Sequence, residues 1–130
     1  MSEIVIDTSV WIDFFRGVEV LHIEEALSEG RVFLTPLVVS ELMSGVKTKS
    51  EEKKMEKFVL NTPLVDCDLS HWLRVGNLRS FLIKKGFNVS TPDAHVAQCA
   101  LDKKAYLYSF DKIFNKIAAC LEIKLLSNIH

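Results

Sequence analysis

Four carboxylates stand where acids do more than decorate a surface: Asp7, Glu41, Asp93 and Asp111. Asp7 follows directly on the apolar run Ile4-Val5-Ile6, and Asp111 follows the run that ends at Tyr108. Asp93 comes just after Thr91-Pro92, in what the proline marks as the first turn of a helix. Glu41 sits among apolar neighbours, between Val38-Val39 and Leu42-Met43, where a lone charge is costly unless paired or metal-bound. Each has an ordinary explanation taken singly. Asp7 could merely end a strand, Asp111 could cap a helix, and an acid at Asp93 suits a helix dipole. Together they suggest more. Two unit charges about 4 Å apart at an effective dielectric near 20 repel by roughly 4 kcal/mol. A cluster of four therefore needs protons or a divalent cation. Hard oxygen donors without a His or Cys companion favour Mg²⁺ or Mn²⁺ over zinc, and such a site handles phosphates.

The elements that must position these acids are legible as an alternation of strands and helices. Short apolar runs without polar alternation occur at residues 4–6, 32–34, 105–108 and 123–126, with a weaker one at 64–65. Such runs suit strands covered on both faces of a parallel sheet. Thr35-Pro36 and Thr91-Pro92 each offer an N-cap hydroxyl before a proline, and Lys84-Lys85-Gly86 reads as a helix end. Leu37, Val38, Leu42 and Val46 would form one apolar face of the first of these helices. The pattern predicts a three-layer α/β/α sandwich with a central, mainly parallel sheet of about five strands, forming a single domain over residues 1–130. In such a sheet, ligands bind at the carboxyl edge, where strand ends and the following helix starts meet.

Composition narrows the classes. The chain has 130 residues, 48% hydrophobic and 25% charged, with a formal net charge of −1. These values exclude a disordered chain, and no apolar run approaches the roughly 20 residues of a membrane helix. A chain of this size is expected to fold without a disulfide or metal staple. Nucleic acid held by bulk charge is disfavoured, leaving local basic residues or metal ions to do it. Arg74, Arg79, Lys84, Lys85, Lys103, Lys104 and Lys112 are candidates for steering a phosphate backbone. The lysine- and glutamate-rich stretch from 47 to 57 reads as a solvated helix face. Cys67, Cys99 and Cys120 are widely spaced and form no CxxC pair, so they read as reduced, buried small hydrophobes. With no secretory signal at the start, the expected location is the cytoplasm.

Other chemistries find little support. His22, His71 and His130 show no ligand-like spacing to one another, and His95 falls about 200° around the helix from Asp93. His95 is therefore expected to be structural. There is no GxSxG, Walker or GxGxxG motif. Trp11 and Trp72 are expected to pack rather than to stack on bases.

Four segments, in order, resemble the motifs of the PIN domain family and, within it, the small VapC-type toxins of type II toxin–antitoxin pairs. They are Val5-Ile6-Asp7-Thr8-Ser9-Val10-Trp11-Ile12-Asp13, Ser40-Glu41-Leu42 with Gly45, Thr91-Pro92-Asp93-Ala94 with Ala97, and Leu107 to Phe114 around Asp111. The resemblance spans nearly the whole chain. It implies that Asp7, Glu41, Asp93 and Asp111 hold one or two Mg²⁺ ions, with Mn²⁺ as substitute, for endonucleolytic cleavage of RNA by an activated water. It places Ser9 and Ser109 in hydrogen-bonding roles beside the metal site, Ser109 keeping the hydroxyl that the family commonly has as Thr. Arg16 and Lys112 would touch RNA. Ile113 stands where many relatives carry another acid, which bears on the second metal. A homodimer and a cognate antitoxin are also implied, and no membrane partner.

The alternative is a non-catalytic signalling or RNA-binding module, such as a phosphoacceptor receiver domain, with Asp66 or Asp68 as acceptor. A haloacid-dehalogenase phosphatase fits less well, because it needs Asp-x-Asp and position 9 is Ser.

Overall fold

The computed structural model describes residues 2–18, 20 and 23–126. His22 and His130 lie outside these. The elements run β1 (Ile4–Ile6), α1 (Thr8–Phe15), α2 (Ile23–Ser28), β2 (Val32–Phe33), α3 (Pro36–Ser44), α4 (Lys49–Leu60), α5 (Leu69–Lys84), α6 (Thr91–Lys103), β3 (Tyr106–Tyr108), α7 (Ile113–Cys120) and β4 (Lys124–Leu125). The strands form one four-stranded sheet in the order β2-β1-β3-β4, with every pairing parallel. Helices flank it. α1 packs on α3 and α3 on α4, while α5 packs on α6 and α6 on α7.

The apolar runs became strands for the reason their composition implies. Val5, Ile6, Val32 and Leu107 are fully buried, so neither face of the central strands meets water. The run at 64–65 is the exception. Pro63 lacks a backbone donor, and Asp66 follows at once, so only Leu64 pairs, as a single parallel bridge to Leu34 beyond β2. Among the described residues the sheet has four strands and that bridge, against an expectation of about five.

The bridge bears on the receiver-domain alternative. In a receiver-like sheet the third strand lies beside the first, which brings its acceptor to the first acid. Here Leu64 pairs on the far side of β2, and β1 is flanked by β2 and β3. Asp66 and Asp68 follow at that remote edge, and Asp68 caps α5, accepting from the His71 backbone at 3.0 Å.

Two helix starts differ in detail. Thr35 occupies the N-cap of α3 with extended backbone but makes no side-chain cap bond, and its hydroxyl is buried without a partner among the described residues. At α6 the cap is Ser90, one residue earlier than expected; its Oγ accepts from Asp93 N at 3.2 Å, and Thr91 is already helical. Gly86 ends α5 with φ of +94°, a conformation that its missing Cβ permits.

α4 is held at its start by local bonds. Glu51 N donates to Thr48 Oγ1 at 3.1 Å, which satisfies one orphan donor of the helix start, while Glu51 Oε2 accepts from Lys47 N at 2.9 Å and pins the residue before the cap. No residue of α4 is fully buried, although Met55, Phe58 and Val59 pack against the core. Thr48→Ala is therefore expected to cost about 1 kcal/mol, a fall of roughly 3–5 °C in Tm, measurable by calorimetry.

Candidate active site

β1 and β3 are adjacent, and the chain leaves them in opposite directions across the sheet, towards β2 and β4. The crevice at their carboxyl ends is where an open α/β sheet accommodates a ligand. Asp7 closes β1 there. It is the N-cap of α1, its N–H donates to Tyr108 O at 2.9 Å, and it is buried to 9% exposure.

Its carboxylate is held by hydroxyls from both ends of the sequence. Asp7 Oδ2 accepts from Ser9 Oγ at 3.1 Å and from Ser109 Oγ at 2.8 Å. Each hydroxyl is oriented by a backbone donor: Phe110 N to Ser9 Oγ at 3.0 Å, and Asp111 N to Ser109 Oγ at 3.0 Å. The two serines therefore serve as supports for Asp7, and Ser109 also fixes the backbone of Asp111. Among the described residues no hydrogen bond reaches Asp7 Oδ1.

The other acids arrive from two helices and from the turn before a third. Glu41, on α3, accepts from Thr8 Oγ1 at 2.7 Å. Thr8 has a role that its sequence context, immediately after Asp7, could have suggested. Asp93 projects from the first turn of α6. Asp111 precedes α7 and accepts from Ile113 N at 3.0 Å through Oδ1.

Charge links Asp93 to the other three. Burial pushes the Asp93 carboxyl above its ordinary range, the Ser90 hydroxyl pulls it partly back, and the carboxylates of Asp111, Asp7 and Glu41 push it up again. Three acids far apart in sequence thus act on one. A cation is the natural neutralising partner, and an all-carboxylate donor set suits a hard divalent ion.

Some expectations need correcting. Glu41 is exposed, not buried among apolar neighbours; Val38 and Leu42 face the core, while Leu37 and Val46 are only half-buried. Its charge meets water, so the sequence argument from desolvation does not hold, although the residue does reach the site through Thr8. Asp111 is likewise exposed. Several proposed backbone-steering cations are engaged elsewhere: Arg74 with Ser70 and Asp102, Arg79 with Val89 O, and Lys103 with Glu3 and the Phe33 ring. Arg16 caps α1 and, with Glu41, Lys47 and Lys54, lines a groove of about 560 Å³. Lys112 is exposed beside Asp111. Trp11 is fully buried against Phe14, Phe15 and Phe58, so it packs, as expected. Ile12 and Phe15 in the same helix are each 40% exposed and line that groove.

A family model described as the PIN domain matches residues 4–119. The chain belongs to the PIN domain family. Its fold agrees with solved structures of the same kind. VapBC from Salmonella typhimurium, crystallised bound to DNA, superposes with a TM-score of 0.76 at 20% identity, over 97% of this chain and 98% of that one. VapBC2 from Rickettsia felis, bound to a promoter DNA fragment, gives 0.76 at 18%, over 95% and 96%. VapBC-5 from Mycobacterium tuberculosis, a member of a toxin–antitoxin family, gives 0.66 at 19%, over 97% and 98%. No curated protein sequence matches the chain significantly. No helix among the described residues of this PIN domain is long and apolar enough to cross a membrane.

Proposed function

We propose that this PIN domain is a Mg²⁺- or Mn²⁺-dependent endoribonuclease that serves as the toxin of a type II toxin–antitoxin pair. The observation that supports the reading is Asp7 at the carboxyl end of β1, braced by Ser9 and Ser109, with Asp111, Asp7 and Glu41 near enough for their charges to act on Asp93.

The four carboxylates fit a hard divalent ion, and Asp7, the most buried and most firmly braced, is the anchor. When bound, the ion supplies an acidified water and neutralises charge that develops on a phosphodiester. Ser9 and Ser109 keep one oxygen of Asp7 fixed, which orients the other towards its ligand. Thr8 does the same for Glu41. Asp93, on a helix start, adds negative charge where the helix dipole favours it. Ile113 contributes an apolar side chain beside Asp111, so the donor set here is four acids without a fifth.

Arg16, Lys47 and Lys54 line the adjoining groove together with Glu41 and Glu51, and supply cations there for a phosphate backbone. That the compared structures are of VapBC toxin–antitoxin proteins supports a cognate antitoxin as partner. A homodimer acting in the cytoplasm completes the proposal.

The test is cleavage of total cellular RNA by purified protein with Mg²⁺, Mn²⁺ or EDTA. Cutting is expected with either ion, none with EDTA, and none for Glu41→Gln in any arm. Cutting that persists in EDTA, or in Glu41→Gln at the wild-type rate, would remove the acid cluster from the mechanism. Binding of RNA without cutting in every arm would favour the non-catalytic module.

A further inference from the structure

Away from the acidic crevice, two thiols and two imidazoles meet where α5 packs on α6. Cys67 precedes the Asp68 cap of α5, and His71 lies in its first turn. His95 and Cys99 are four residues apart on α6, hence on one face. One donor atom from each of the four lies within 4.8 Å of every other. We propose that Cys67, His71, His95 and Cys99 form a tetrahedral zinc site that clamps α6 to the start of α5.

The separations match such a site. A tetrahedron with Zn–S near 2.3 Å and Zn–N near 2.0–2.1 Å has edges of about 3.8 Å for S···S, about 3.6 Å for S···N and about 3.3 Å for N···N. Here Cys67 Sγ and Cys99 Sγ are 3.8 Å apart, and Cys99 Sγ lies 3.9 Å from His71 Nε2 and 4.0 Å from His95 Nδ1. The two ring nitrogens, at 2.8 Å, share a hydrogen bond and must part by about 0.5 Å to reach that edge length.

The surroundings are those of a metal-bound histidine. His71 Nδ1 lies 3.2 Å from Asp102 Oδ2, and that carboxylate is itself held by Arg74 at 2.9 Å and Gln98 at 2.8 Å. With Nδ1–H donated to Asp102, the neutral ring turns its Nε2 lone pair towards the cluster, as carboxylate–histidine–metal arrangements require. Trp72 stacks on His95, ring centroids 4.6 Å apart and planes within 6°, fixing its orientation. His71, His95 and Cys99 are at most 1% exposed, while Cys67 is half-buried and gives an ion a way in. Thiolate with imidazole selects zinc over magnesium. On binding, the two thiols release two protons to water and the His95 proton moves to Nε2, leaving a centre of zero net charge that suits the interior.

The site is independent of the nuclease reading, since it shares no ligand with the acid cluster. The test is metal analysis of the purified, reduced, full-length chain, followed by Co²⁺ titration after chelator stripping. About one zinc per chain is expected. Co²⁺ should give intense tetrahedral d–d bands with a thiolate charge-transfer band, bleached by Zn²⁺ and unaffected by Mg²⁺. Stripping should lower Tm by about 5 °C or more. Cys67→Ser, at the half-exposed position where folding is least at risk, should weaken zinc binding by at least about 100-fold, and Asp102→Asn by about 10–100-fold. Circular dichroism checks that each is folded. Folded wild type that gives no thiolate band with Co²⁺ would overturn the proposal. So would a spectrum unchanged in Cys67→Ser, or a Cys67–Cys99 disulfide in place of the metal.

Discussion

Asp93→Asn is expected to raise the Tm of the protein stripped of divalent ions by about 3–5 °C while lowering RNA cleavage about 10³-fold. The gain follows from the position of the carboxylate. It is partly desolvated and faces the negative charges of Asp111, Asp7 and Glu41, all of which disfavour its ionised form. Asparagine keeps the shape and removes the charge. Relief of that repulsion is worth roughly 1 kcal/mol at a partly exposed site, which sets the size of the Tm shift. The loss has the same origin. A neutral amide is a poor ligand for a hard cation, and 10³-fold corresponds to about 4 kcal/mol of transition-state stabilisation. A third readout ties the two together: Mn²⁺ should raise the Tm of wild type and leave that of Asp93→Asn nearly unmoved. Scanning calorimetry with and without Mn²⁺, beside a cleavage assay, measures all three. A variant that is less stable than wild type without metal would show that Asp93 is held by favourable contacts, not strained by its neighbours.

Trp11→Ala is expected to cost about 3–5 kcal/mol, a large share of the stability of a domain this size. Trp11 is wholly buried, edge-on to Phe14 and Phe58 and stacked on Phe15. Its ring fills the space between α1 and α4, which alanine cannot. Trp11→Phe should cost much less than the lost volume suggests. The indole Nε1 is buried with no partner among the described residues, so phenylalanine removes an uncompensated donor along with the bulk. Urea denaturation of the three proteins, compared at equal m-value, separates these terms. A phenylalanine variant as unstable as the alanine one would mean that packing volume alone matters there.

Local signals placed Asp7 at a strand end and Asp93 in a helix's first turn, as the fold has them. A run of β-branched residues ending in an acid, and an acid just inside a proline-marked helix start, are positions that the backbone alone dictates. Glu41 was reached by an argument the fold does not support: apolar neighbours in sequence suggested burial, but helix α3 turns that position to water and the contact with Thr8 crosses from another element. The shift from Thr91 to Ser90 as cap has a similar source, because two hydroxyls precede Pro92 and the proline tolerates either of the first two helical positions. The strand at 64–65 shrank to a bridge because Pro63 and Asp66 leave it no length. Least legible was the Cys/His cluster. Each half, Cys67 with His71 and His95 with Cys99, has a spacing of four, but neither contains CxxC or paired histidines. Only the packing of α5 on α6 joins halves that lie 24 residues apart.

The hydrogen bond from Ser109 to Asp7 joins residues 102 positions apart, and β1 lies between β2 and a strand that begins only at Tyr106. The first of the four candidate site acids to leave the ribosome is thus among the last to be placed. Until the segment through residue 111 has been synthesised and has cleared the exit tunnel, β1 has no β3 beside it, Asp7 lacks its second hydroxyl, and Asp111 does not yet exist. An unfinished chain cannot assemble the crevice, however well its amino-terminal half condenses. Topology of this kind also slows folding, since a long loop must close before the pairing rewards it. On the proposed nuclease reading, a nascent chain therefore carries no assembled cleavage site.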